Sequence, residues 1–97
     1  MRYEIVLAPE AIQDLKRLKA RLRAQVTGAV ETHLRHEPTK PSKSRIKRLR
    51  GLSKPQYRLR VDAIRVFYDV SMRKVEILAI VMKADAEAWL VKAGEGL

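Results

Sequence analysis

The sequence predicts one α+β domain, and three observations carry that expectation. Apolar residues recur at helical spacing through the first third of the chain and alternate strictly through much of the second half. The length of 97 residues leaves room for a single core, so residues 1–97 are read as one domain.

Tyr3, Ile5 and Leu7 alternate with Arg2, Glu4 and Val6, which reads as a first strand. Pro9 suits the first helical position, where its missing N–H is no loss, and Glu10 complements the positive helix start. Ala8, Ile12, Leu15 and Leu18 form one apolar stripe, and Leu22, Val26, Val30 and Leu34 continue it. Lys19-Ala20-Arg21 holds neither Gly nor Pro, so a kinked helix and a pair of helices with a very short bend both fit; the pair is the expectation. Gly28 is a mild weak point inside the second helix, and Glu37-Pro38 ends it, because the residue before proline leaves helical geometry. Residues 39–44 read as loop. Residues 45–49 fit either a short edge strand or one helical turn, closed by Gly51.

The second half reads as a meander. Tyr57, Leu59 and Val61 alternate with Gln56, Arg58 and Arg60; beyond a tight turn at Asp62-Ala63, Ile64, Val66, Tyr68 and Val70 alternate with Arg65, Phe67 and Asp69. Another turn spans residues 71–74. Residues 75–82 are apolar enough for a strand covered on both faces. Asp85 can cap a short final helix bearing Trp89 and Leu90, with Gly94 ending it. The order is β-α-α-(β)-β-β-β-α, without a repeat or a linker.

Composition narrows the function. Hydrophobic residues make up 46%, enough for a globular core. The chain has no cysteine, which excludes disulfides and thiolate metal sites and is compatible with a reducing cytoplasm. The longest apolar run, residues 77–82, is far too short to span a membrane, and Arg2 leads into alternation, not a signal peptide's apolar stretch. The formal net charge is +10, which points to a polyanion or an acidic protein as partner. Residues 40–65 hold nearly all of that excess: Lys40, Lys43, Arg45, Lys47, Arg48, Arg50, Lys54, Arg58, Arg60 and Arg65 are opposed by Asp62 alone.

A two-residue loop at Asp62-Ala63 sets Val61 opposite Ile64, Arg60 opposite Arg65 and Arg58 opposite Phe67. Tyr57, Leu59, Val61, Ile64, Val66 and Tyr68 then share the face that packs on the helices. Arg58, Arg60 and Arg65 share the other. Like charges directly opposed across strands cost up to about 1 kcal/mol, which an anion site justifies and a structural sheet does not. Guanidinium forks also match phosphate oxygens two at a time. The alternative is that Asp69 and Glu76 neutralise the row from the next strand.

At these residues the sequence resembles the RelE/ParE superfamily of bacterial type II toxin–antitoxin toxins. The resemblance runs through Ala8-Pro9-Glu10-Ala11, Leu49-Arg50-Gly51, Tyr57-Arg58-Leu59-Arg60, Ile64-Arg65-Val66-Phe67-Tyr68 and the apolar strand ending at Lys83. It implies a helical hairpin packed on a twisted, mainly antiparallel sheet, and an acidic antitoxin that wraps the toxin. RelE-like members cut messenger RNA in the ribosomal A site without a metal or other cofactor. Arg58, Arg60 and Arg65 resemble the basic residues of the family's second and third strands; Lys83 stands near the position of a family arginine, and Trp89 near that of a tyrosine.

Such cleavage needs the 2′-hydroxyl to lose a proton, the added charge on phosphorus to be stabilised and the departing oxygen to gain a proton. Arg58, Arg60 and Arg65 suit the middle task. A guanidinium is a poor base, so Lys83 is the candidate for proton transfer and Trp89 for stacking on a base. Both also read as a surface lysine and a core anchor. Lys43, Arg45, Lys47, Arg48, Arg50 and Lys54 are the candidate RNA contacts outside the catalytic face. His33 and His36 beside Glu37 do not make a closed metal site, Tyr57 and Tyr68 fall on the core face, and Asp62 reads as turn chemistry. Competing readings are a ParE-like DNA gyrase inhibitor and a non-catalytic nucleic-acid-binding module.

Overall fold

A computed structural model of the chain describes residues 2–95. The strands β1 (Glu4–Leu7), β2 (Ile46–Arg48), β3 (Tyr57–Val61), β4 (Ile64–Ser71) and β5 (Lys74–Met82) form one sheet in the order β1-β5-β4-β3-β2. Only β1 runs parallel to its neighbour; the other pairings are antiparallel. Residues 45–49, open on sequence grounds, thus contribute the short edge strand β2, and Gly51 follows with a φ of 78° that suits glycine.

The helices α1 (Pro9–Arg17) and α2 (Ala20–Leu34) are separate, as expected. Leu18 and Lys19 are extended between them. No breaker residue is needed, because Arg23 reaches back and its Nη1 donates to the carbonyls of Leu18 at 3.2 Å and Lys16 at 3.4 Å. Val26, Val30 and Leu34 of α2 pack with Leu59, Val61, Ile64, Val66, Tyr68, Val75, Ile77 and Ile80 of the sheet in one core.

The stripe on α1 is rotated from its expected position. Ala11, not Ile12, is the fully buried residue, and Ile12 remains 40% exposed. The small side chain lets α1 lie close on β5. The rotation also brings Asp14 to the sheet, where its Oδ2 accepts the amide of Ile80 at 3.0 Å beside an irregularity in the β4–β5 register. β1 ends opposite Ile77, and beyond it Asp14 supplies the acceptor for the Ile80 N–H.

The last helix also differs from expectation. α3 spans Lys83–Glu95, starting directly after β5, so Asp85 lies in its first turn and Gly94 lies inside it. With 13 residues it is longer than the nine-residue α1. Its start is fixed by tertiary structure: the amide of Lys83 donates to the carbonyl of Ala63 at 2.6 Å, at the tip of the β3–β4 hairpin. β5 is an interior strand as expected, with Val75, Ile77 and Ile80 in the helix-facing core.

Candidate anion-binding face

The β3–β4 hairpin takes the register that the alternation predicts. Val61 faces Ile64, Arg60 faces Arg65, and Arg58 faces Phe67. Asp62, at the first loop position, has φ 51°, a left-handed conformation that Asp tolerates better than most residues. The loop therefore closes without the glycine such turns prefer.

Alternation puts Arg58, Arg60 and Arg65 on the face away from the α1–α2 core, and Lys47 of β2 joins them opposite Arg58. Part of this face is covered by α3, where Trp89 stacks on Phe67 with ring centroids 4.9 Å apart and planes within 6°. Arg60 is exposed, Arg58 half-buried, and Arg65 only 6% exposed.

Arg65 is held by backbone alone: its Nη1 donates to the carbonyls of Asp62 at 2.7 Å and Ile64 at 3.0 Å. Burial and then the charge of Arg60 shift Arg65 below its ordinary pKa. Arg58 is shifted the same way, by burial first and then by Arg65 and Arg60. Its Nε is buried without a hydrogen-bond partner. Arg60 thus bears on both Arg58 and Arg65, and Arg65 on Arg58; among the described residues none of the three arginines forms an ion pair with a carboxylate. An unsatisfied buried N–H among mutually repelling cations is what a bound anion would relieve.

Asp69 and Glu76 do not neutralise the row. They stand opposite each other at the far end of the β4–β5 pairing, and Lys54 Nζ lies 3.9 Å from Asp69 and 3.8 Å from Glu76. Burial raises the Asp69 carboxyl, while a 2.7 Å bond from the amide of Gln56 and the charge of Lys54 pull it back.

The other basic residues fall in different places. Arg48 lies over the Tyr57 ring, its Cζ 5.0 Å from the centroid. Arg45 precedes β2 and accepts the amide of Arg60 on its carbonyl at 2.9 Å, so their backbones are adjacent. Lys43, Lys47 and Arg50 are exposed. Lys54 is drawn to the carboxylates of Asp69 and Glu76, away from the arginine row. Lys83 is exposed at the first position of α3; two residues before it, Val81 stands opposite Arg65. Trp89 is half-buried, one ring face on Phe67 and its Nε1 donating to Glu10 Oε2 at 2.7 Å. Tyr57 and Tyr68 stack on the helix-facing side, 5.4 Å between centroids, as the alternation requires.

Among the described residues no group of three or more His, Asp or Glu side chains is placed to hold a metal. Sequence reasoning missed two contacts: Gln25 of α2 donates to Asp62, and Lys54 spans Asp69 and Glu76. Both join segments distant in sequence, and neither has a local signature.

With this geometry in place, the comparisons are consistent. The family described as the ParE toxin of the type II toxin–antitoxin system parDE matches residues 5–86. A comparison with curated proteins gives no match. Among solved structures, the toxin–antitoxin complex RelBE2 from Mycobacterium tuberculosis is similar, with TM-score 0.72 and 24% identity over 84% of this chain and 99% of that one. A RelE–RelB complex from Pyrococcus horikoshii has TM-score 0.69 and 22% identity, covering 86% of this chain and 97% of that one. A double arginine-to-alanine mutant of the E. coli toxin RelE in the free state has TM-score 0.69 and 18% identity, covering 93% of each chain. At these identities the likeness establishes the fold.

Proposed function

The chain belongs to the ParE toxin family of type II toxin–antitoxin systems, and from that premise we propose that its arginine face cleaves messenger RNA on the ribosome in the cytoplasm, under the control of an acidic antitoxin. The observation that carries this reading is the cluster of Arg58, Arg60 and Arg65, which among the described residues form no ion pair with a carboxylate, together with the unsatisfied Nε of Arg58. A phosphodiester supplies the missing acceptor. In the reaction the 2′-oxygen forms a bond to phosphorus, the 5′-oxygen leaves, and the three cations stabilise the extra charge in between. Arg65 is pinned to two carbonyls and so is preorganised for that task. Proton movement falls to Lys83, which sits at the same end of the sheet as Arg65, or to groups of the ribosome.

The test uses purified toxin with ribosomes programmed with a defined message. New 5′-hydroxyl ends within the A-site codon, lost in Arg60→Ala, support the reading; intact message at stoichiometric toxin rejects it. The family match itself favours a second reading, inhibition of DNA gyrase. There the same cations would contact gyrase or its DNA, and a supercoiling assay distinguishes the two. Binding of RNA without cleavage, and no effect on supercoiling, would leave a nucleic-acid-binding module. For the partner, the solved relatives include toxins in complex with antitoxins, and a charge of +10 favours an acidic one.

A further inference from the structure

The carboxylate of Asp62 is not needed to close the turn on which it sits. The β4–β5 hairpin closes in the same way: its two-residue loop, Met72-Arg73, also opens on a left-handed residue, with φ 52° at Met72 against 51° at Asp62. The Met72 side chain is 95% exposed, so it anchors nothing. Asp62 differs in what its side chain reaches. Its Oδ2 accepts the Nε2 amide of Gln25, 37 residues away on α2. Gln25 precedes Val26, which is 1% exposed in the core, so the amide is offered from a firmly seated helix. The second loop residue is held as well, the Ala63 carbonyl accepting the amide of Lys83 at 2.6 Å. The tip is thus tied to α2 at one residue and to the start of α3 at the next.

Asp62 also stands beside the arginines without neutralising them. It is the one acidic residue among residues 40–65, and among the described residues it enters no ion pair. A neutral amide engages its carboxylate, while its backbone carbonyl accepts Nη1 of Arg65 at 2.7 Å. Nη1 also donates to the Ile64 carbonyl at 3.0 Å, which leaves Nε and Nη2 of Arg65 for an anion. Arg65 needs such a hold. It is directly opposite Arg60, whose like charge pushes on it.

We propose that Gln25 and Asp62 are positioning residues for Arg65: their side-chain bond fixes the hairpin tip, and the fixed tip presents the carbonyl that orients the guanidinium toward a phosphodiester. The role rests on the proposed ribonuclease reading for the reaction that Arg65 serves; the clamp itself belongs to the free protein. Gln25 acts at one remove, through the backbone of the turn. Support of this kind matters because a misplaced cation stabilises a transition state less.

The experiment uses the full chain with 13C,15N-labelled arginine and follows, by NMR, rotation of the Arg65 guanidinium about its Nε–Cζ bond. The variants are Gln25→Ala, Asp62→Asn and Asp62→Gly. Ala favours helix at the exposed Gln25 position, and Asn and Gly both accept the left-handed φ at residue 62, so all three fold. Rotation should quicken about fivefold in Gln25→Ala and Asp62→Gly, as loss of one hydrogen bond predicts. It should stay within about twofold of the parent in Asp62→Asn, which keeps an acceptor oxygen. On programmed ribosomes, kcat should fall roughly threefold or more in Gln25→Ala while KM stays within about twofold, and Asp62→Asn should keep the parent's kcat. The proposal is overturned if Gln25→Ala rotates like the parent, if Asp62→Asn rotates as fast as Asp62→Gly, or if rotation quickens while kcat holds. A parent that cuts no message rejects the proposed function alone, because the rotation is measured without substrate and then decides the clamp by itself.

Discussion

Trp89 of the last helix donates its indole N–H to Glu10 at the start of the first, 2.7 Å away, while its ring lies on Phe67. Two elements at opposite ends of the chain are thereby joined across the sheet edge. Trp89→Phe keeps the stack and loses the hydrogen bond, and should cost about 1 kcal/mol. Trp89→Ala loses both and should cost about 2–3 kcal/mol, below the fully buried range because the ring is half-exposed. Urea unfolding measures both. An unchanged midpoint in Trp89→Ala would remove the anchoring role and leave stacking on RNA as the residue's remaining use.

Arg60 and Arg65 face each other directly, yet only Arg65 is tied to backbone carbonyls. Arg60→Ala should leave stability unchanged or raise it by up to about 0.5 kcal/mol, since it relieves a like-charge pair. The same change should weaken nucleic-acid binding and lower the slope of log affinity against log salt by about one. A salt titration of the folded variant decides this; a slope equal to the parent's would take Arg60 out of the contact set.

Tyr68 is fully buried and its hydroxyl donates to the carbonyl of Pro38 at 2.7 Å. Burial, and then Tyr57, raise its phenol above the ordinary 10.0. The folded state therefore holds this proton more tightly than the unfolded chain does. Its contribution is fully present below pH about 10 and is lost as the pH rises through the folded value. Tyr68→Phe should cost about 1–2 kcal/mol at neutral pH, leaving the Pro38 carbonyl unpaired. Its stability should also fall less steeply above pH about 10, which alkaline denaturation curves of the two proteins will compare.

Asp14 accepts the Ile80 amide beside the bulge. Asp14→Ala should cost about 1–3 kcal/mol because a half-buried N–H loses its acceptor. Asp14→Asn keeps an acceptor oxygen and should cost less than half as much. Equal losses in the two variants, measured by thermal melting, would mean that charge and not the hydrogen bond matters there.

The hairpin register was legible because two independent features agreed. Six apolar residues from Tyr57 to Tyr68 had to share one face, and a two-residue turn then forced Arg60 against Arg65. The helix pair was legible from its stripe. The rotation of α1 was not: Ile12 outranks Ala11 in hydrophobicity, and only the closeness of β5 and the bulge near Ile80 favour the smaller residue. The start of α3 was hidden for a similar reason. Lys83 carries no capping signal of its own, and its amide is satisfied by Ala63, twenty residues away. Within the site, the facing of the arginines follows from alternation, whereas the contact of Lys54 with Asp69 and Glu76 depends on how the 49–56 loop folds back.

That last contact gives the open side of the sheet two ends of opposite character. Asp69 lies four residues along β4 from Arg65, about 13 Å in an extended strand. A polyanion laid across this surface is drawn in at one margin and turned away at the other, with Lys54 only blunting the repulsion. The surface thus has a polarity, and a bound strand would be confined to the Arg58–Arg65 margin instead of sliding across the whole sheet.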